Sequence, residues 1–122
     1  MLELDDNYFK EEERCGFKIP SMMKRVWAVE MDVLTHIDRI CMEYGLTYYA
    51  AFGTMLGAVR HNGFVPWDDD IDIYMIRPDY QILMKVLSDE LPDTIKPYLI
   101  RIYFLMPERS CFIVTSRHNL NL

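Results

Sequence analysis

The stretch Trp67-Asp68-Asp69-Asp70-Ile71-Asp72-Ile73-Tyr74-Met75 is where residue type and spacing in this chain converge on a chemistry. In an extended strand alternate side chains share a face, so Asp68, Asp70 and Asp72 fall on one side and Ile71, Ile73 and Met75 on the other. Positions i and i+2 lie roughly 6.6 Å apart along a strand, near enough for two carboxylates to converge on one ion. Carboxylates gathered in this way repel one another unless a cation neutralises them. Hard divalent ions bind such oxygen ligands while keeping water and substrate phosphate oxygens in their other positions. The spacing therefore predicts Asp70 and Asp72 as the catalytic pair, holding Mg2+ or Mn2+. A solvated acidic turn is the other use of such residues, and it suits Asp68 and Asp69. It fits Asp70 and Asp72 poorly, because they are interleaved with isoleucines that belong in a core.

A second element precedes this one. Gly53-Thr54 falls where a strand is expected to end and a helix to begin. Glycine permits close backbone approach, and free N–H groups at a helix start suit a phosphate. The threonine hydroxyl can donate a further bond or cap the helix. Gly53 and Thr54 are thus expected to bind substrate. Arg60 is expected either to do the same or, with His61, to complement the helix dipole. Trp67 suits stacking on a base or sugar as well as burial.

The elements that must position these residues can be read from periodicity. Residues 21–44 carry an apolar stripe (Met22, Val26, Val29, Val33, Ile37, Ile40, Tyr44) at helical spacing, with Ser21 as N-cap and Gly45 as the stop. Residues 46–52 read as a short strand buried against that helix, and residues 55–61 as a short helix closed by Asn62-Gly63. The aspartate strand follows over residues 69–75. Pro78 then opens a helix to about residue 90, with Ile82, Leu83, Val86 and Leu87 inward. Two apolar runs, 98–105 and 111–115, suit further strands. This order implies an α/β (α+β) fold, a small mixed sheet flanked by helices. Three regions are expected: an acidic, solvated lead-in (1–20), a core (21–97) and a divergent tail (98–122).

Composition bounds the partners. The 122 residues fit one domain and carry a formal charge of −6, which repels nucleic acid and requires a cation beside any phosphate. No apolar run reaches the ~20 residues of a membrane span, and the acidic N-terminus does not read as a secretory signal. A cytoplasmic location is expected, with peripheral membrane association left open. Cys15, Cys41 and Cys111 are odd in number and scattered, and are expected to be buried, inert thiols.

Residues 49–80, YAAFGTMLGAVRHNGFVPWDDDIDIYMIRPDY, resemble the signature of the LicD family, and residues 22–45 are similar to its lead-in helix. That family includes phosphocholine transferases and fukutin-related proteins. The resemblance implies a nucleotidyltransferase fold and transfer of a phosphorylated alcohol, such as phosphocholine or ribitol phosphate, from a CDP-linked donor to a cell-surface glycan acceptor. It places Gly53 and Thr54 at the phosphate-proximal turn and Asp70 and Asp72 on the metal. Family members are usually about twice as long, with a third carboxylate from a later strand. Here only Glu108 follows Asp93, within a tail unlike the family's continuation. The expectation is a truncated member, with a non-catalytic remnant and a minimal nucleotidyltransferase using an NTP as the alternatives.

Overall fold

The computed structural model describes residues 2–90 in full and residues 99–106 and 110–115 as backbone strands. Its elements run in the order β1 (Glu12–Arg14), β2 (Phe17–Ile19), α1 (Ser21–Tyr44), β3 (Tyr48–Ala50), α2 (Phe52–His61), β4 (Ile71–Ile76), α3 (Arg77–Glu90), β5 (Leu99–Met106) and β6 (Ser110–Thr115). Strands β3, β4, β6 and β5 form one sheet in that order. The expected α+β class is found, but all of these pairings are antiparallel rather than mixed. Only three residues separate β5 from β6 in the sequence, too few for the crossover that a parallel pair needs.

The apolar stripe of α1 does what its spacing demands. Val33, Ile37, Ile40 and Cys41 pack with Ile71, Ile73 and Met75 of β4 and with Tyr80, Leu83 and Leu87 of α3. Burying a side chain of this size contributes roughly 1.5–3 kcal/mol, so this three-element contact is the main cohesive force around the site. Gly45 stops α1 in the left-handed region at φ 66°, and its N–H donates to the Cys41 carbonyl. The start of α1 differs from expectation. Pro20 is the cap and no side chain closes the first turn, so Ser21 is simply the first helical residue. The ends of the stripe also emerge into solvent, since Met22 and Tyr44 are exposed. On α3, Ile82 is exposed while Tyr80 takes an inward place.

The acidic N-terminal stretch is structured rather than loose. A 3-10 turn over Asp6–Phe9 packs on α1 and leads into the β1–β2 hairpin, which Glu12 ties to Lys24 of the same helix. Lys24 explains the attachment. It is almost wholly buried, forms an ion pair with Glu12 at 3.1 Å, and lies 5.5 Å from the centre of the Tyr8 ring. A buried ammonium is tolerated only with such partners, and composition alone could not identify them. Cys41 is buried as expected, but Cys15 is exposed in the hairpin turn.

Strand β3 is shorter than the aromatic run suggested, and Tyr49 faces solvent. Helix α2 begins earlier than expected, at Phe52, and ends on Asn62 in the left-handed region. Its underside is closed by Gly57. A Cβ there would overlap the Gly63 carbonyl oxygen and crowd the backbone of Phe64 and Val65. Backbone cannot yield as a side-chain tip can, so Gly57→Ala is expected to destabilise the domain by about 1–3 kcal/mol. Urea unfolding of the two proteins checks this, and an unchanged midpoint would refute the close packing.

Candidate functional site

The site forms where the β3–α2 turn meets the loop into β4. Along β4 the inward residues are Ile71, Ile73 and Met75, while Asp72 and Tyr74 are half-buried on the opposite face. The strand begins only at Ile71, so Asp70 lies on the approach loop with Asp68 and Asp69. That loop, rather than strand alternation, brings Asp68 and Asp70 towards Asp72.

Asp72 is held by its backbone from both sides. Its N–H donates to the Thr54 hydroxyl oxygen at 2.8 Å, and its carbonyl accepts from the Ala51 N–H at 3.0 Å. The two bonds clamp the metal-candidate residue to the first turn of α2. Thr54 was expected at a helix start, as a cap or phosphate donor. It is instead the third residue of α2, and its side chain reaches across to the next strand; Ala51 occupies the cap position. The hydroxyl accepts from Asp72 and keeps its own hydrogen for another partner. Between Ala51 and Thr54, Phe52 turns the chain with φ 44°, a left-handed conformation that a bulky residue holds only where its surroundings impose it. Thr54→Val is expected to leave the Asp72 N–H without its acceptor at a cost of about 1–3 kcal/mol, with Thr54→Ser largely restoring stability. Thermal melts of the pair decide between this bond and simple packing.

Gly53 sits in close contact with the approach loop. A Cβ at this position would overlap the Asp68 carboxylate, which lies directly over it. Gly53, Thr54, Asp68 and Asp70 also border one cavity of about 200 Å3. Arg60 does not border that cavity. It is exposed in the last turn of α2, six residues and so roughly 9 Å along the helix axis from Thr54. Trp67 is half-exposed rather than in the core, edge-on to Phe17 and His61.

Two further residues matter that periodicity did not single out. Trp27 of α1 donates from its indole nitrogen to the Asp68 carbonyl at 2.7 Å and stacks on Phe64 at 4.8 Å. One turn later, Glu30 is almost fully buried beside Asp69 and Asp70. The signal available in the sequence was a glutamate placed one turn beyond a tryptophan, on a helix whose nearby positions are apolar.

The electrostatics follow from the crowding. Burial, and then the neighbouring Asp72, Asp68 and Asp69, push Asp70 up to about 6. Burial followed by Asp69 raises Asp68, and burial followed by Asp68 raises Asp72. Glu30 is pushed up to about 8 by burial and then by Asp70 and Asp69. An acid whose folded-state pKa exceeds its unfolded value binds its proton more tightly when folded, so stability falls as pH rises between the two values. The metal-free protein is therefore expected to lose thermal stability steadily from about pH 4 to pH 8. A melting temperature that stays flat or rises across that window would contradict the crowding.

Among the described residues no three His, Cys, Asp or Glu side chains form a ready-made metal cage. Asp70 and Asp72 nonetheless suit Mg2+ or Mn2+, which bind through one or two carboxylates and leave the other positions to water and substrate phosphate. Glu108, the only later acid considered as a third ligand, lies outside the described residues.

Comparison with known proteins bears on this geometry. A sequence model of the family described as LicD/FKTN/FKRP, nucleotidyltransferase domain, matches residues 45–112. The match includes both halves of the site and reaches into the tail, through Glu108, where sequence reading had found no continuation. It begins at Gly45, directly after α1, so the likeness of that helix to the family's lead-in lies outside it. The lipopolysaccharide cholinephosphotransferase LicD of Haemophilus influenzae is 43% identical over 60 residues, 49% of this chain and 23% of that protein. An uncharacterized protein of Rickettsia prowazekii is 33% identical over 82 residues, 58% of this chain and 31% of its own length. The chain thus spans less than a third of the length of these curated relatives. No solved structure matches it.

Proposed function

The chain belongs to the LicD/FKTN/FKRP nucleotidyltransferase-domain family, and from that premise we propose that it is a metal-dependent phosphotransferase. It moves a phosphorylated alcohol of the phosphocholine kind from a CDP-linked donor to a glycan hydroxyl. The observation that carries this reading is the clamp on Asp72, with Asp68 and Asp70 gathered against Gly53 and Thr54 at the start of α2.

Asp70 and Asp72 are the residues that would hold Mg2+ or Mn2+, and the ion would neutralise the donor diphosphate. The chain's own residues do the remaining work. Gly53 leaves room for the Asp68 carboxylate beside the site, and the Thr54 hydroxyl, already accepting from Asp72, has a hydrogen free to donate to a phosphate. Trp27 holds the Asp68 loop in place. In the transfer, the acceptor hydroxyl forms a bond to phosphorus, the bond from phosphorus to CMP breaks, and the hydroxyl proton passes to solvent. Positioning and charge stabilisation account for most of the acceleration in such reactions. The glycan named for the Haemophilus relative supports lipopolysaccharide or a comparable cell-surface glycan as the acceptor class. Among the described residues, no helix is long and apolar enough to cross a membrane.

Calorimetric titration of CDP-choline with and without Mn2+ tests the reading, followed by transfer assays on a lipopolysaccharide acceptor. Mn2+-dependent binding followed by turnover supports an enzyme. Binding without turnover supports a non-catalytic remnant, and UTP or ATP consumed in place of CDP-choline supports a minimal nucleotidyltransferase. No binding by the folded chain would refute the transferase reading and leave a remnant that merely folds.

A further inference from the structure

A surface helix of a globular domain turns its apolar stripe to the core and its polar residues to water. Helix α2 does the reverse. Small residues make its inward contacts: Gly53 lies under the Asp68 carboxylate, Thr54 holds the Asp72 N–H, and Gly57 packs on the backbone of Gly63. Its large apolar residues Phe52, Met55, Leu56 and Val59 recur at intervals of three and four and are 59%, 54%, 39% and 79% exposed. Trp67, edge-on to His61 in the last turn of the helix, extends this surface and is 55% exposed.

Charge sets the surface apart from the rest of the chain. The sequence carries 19 acidic residues, yet none occurs between Glu43 and Asp68, where Arg60 is the formal charge. Arg60 is exposed next to Val59. Size decides between two kinds of occupant. Side chains of this kind, exposed by about half, present about 100 Å2 each, so the five make a patch of roughly 500 Å2. That lies in the range of functional apolar patches on monomers, and falls well short of the ~800 Å2 per partner buried in a stable protein interface. A bilayer needs no matching patch. It accepts a convex helix with aliphatic and aromatic residues on one face and a cation at the margin.

We propose that the outer face of α2 docks the protein on an anionic phospholipid bilayer. Met55, Leu56 and Val59 enter the boundary between headgroups and acyl chains, Phe52 and Trp67 flank them, and Arg60 meets lipid phosphate. The proposal is independent of the transferase reading, but it has a consequence for the site. Gly53 and Thr54 stand on the opposite side of the same helix. Docking therefore holds the clamp on Asp72 one helix diameter, roughly 10 Å, above the lipid surface.

Vesicles of phosphatidylglycerol and phosphatidylcholine in equal parts, plain or brominated on the acyl chains, test this with the full chain. The protein is expected to sediment with them, and brominated lipid to quench the exposed Trp67 while sparing the buried Trp27. Arg60→Gln should weaken binding about 5-fold, the share of one cation at an anionic surface. Met55→Gln with Val59→Gln should weaken it by at least about 10-fold, because the inserting area shrinks. Both side chains face solvent, so the double variant is expected to keep the wild-type circular dichroism and melting temperature. Wild-type protein left in the supernatant, or bound with Trp67 unquenched, overturns the proposal, and this comparison decides even where a variant fails to fold. Undiminished binding by a folded double variant overturns it as well. A wild-type dimer that the double variant dissociates would assign the face to a second copy and overturn the bilayer.

Discussion

Asp70→Asn with Asp72→Asn is expected to abolish Mn2+-dependent binding of CDP-choline while making the metal-free domain more stable at neutral pH. Replacing residues that merely support metal ligands weakens metal binding by about 10–100-fold, so removing both first-sphere carboxylates should exceed ~100-fold. The gain in stability has a separate cause. Asp70 is raised to about 6 by burial and by its acidic neighbours, so at pH 7 the folded chain carries charge it would shed in a less crowded setting. The amides remove that charge at nearly constant shape. The backbone bonds that hold Asp72 to Ala51 and Thr54 do not involve its carboxylate, so the fold has no reason to fail. Calorimetry and thermal melts on the same samples give both readings. Binding that survives in the double variant would remove the metal assignment. Binding lost together with the fold would show that the carboxylates hold the structure rather than a ligand.

Trp27→Ala is expected to be the most destabilising single change near the site. Trp27 is almost wholly buried, stacks on Phe64 and donates to the Asp68 carbonyl. Truncating a buried aromatic to alanine costs about 3–5 kcal/mol, a large part of the roughly 5–15 kcal/mol that stabilises a domain. Trp27→Phe separates the two roles, since it keeps most of the ring packing and deletes only the N–H. That variant should fold, lose about 1–3 kcal/mol from the abandoned carbonyl, and bind Mn2+ roughly 10-fold more weakly because the Asp68–Asp70 loop is less fixed. Denaturant unfolding and metal titration of the three proteins check this. A Phe variant with wild-type metal affinity would reduce Trp27 to a packing residue.

How far the sequence could be read differs from element to element. Helix α1 was legible almost to the residue, because an apolar stripe at helical spacing and a stopping glycine are local signals. The inward set Ile71, Ile73 and Met75 was equally plain, since alternation on a strand leaves no other face for the core. The turn at Gly53-Thr54 and the aspartates of residues 68–72 were identifiable as the parts of a site. Their residue types suit a metal and a phosphate in almost any context.

The assembly of those parts was not local. Thr54 and Asp72 are eighteen residues apart, and only the packing of α2 on β4 turns a presumed cap into the acceptor that pins Asp72. The group that lies over position 53 is the Asp68 carboxylate, a neighbour that spacing does not identify. Lys24, Trp27 and Glu30 lie on the same helix as the legible stripe, yet their partners come from the N-terminal hairpin and the approach loop. Arg60 stands in the last turn of α2, and its place on the helix is all that periodicity could have told. Short-range periodicity records which face of an element avoids water. Which polar groups meet across that face is decided by how the elements pack.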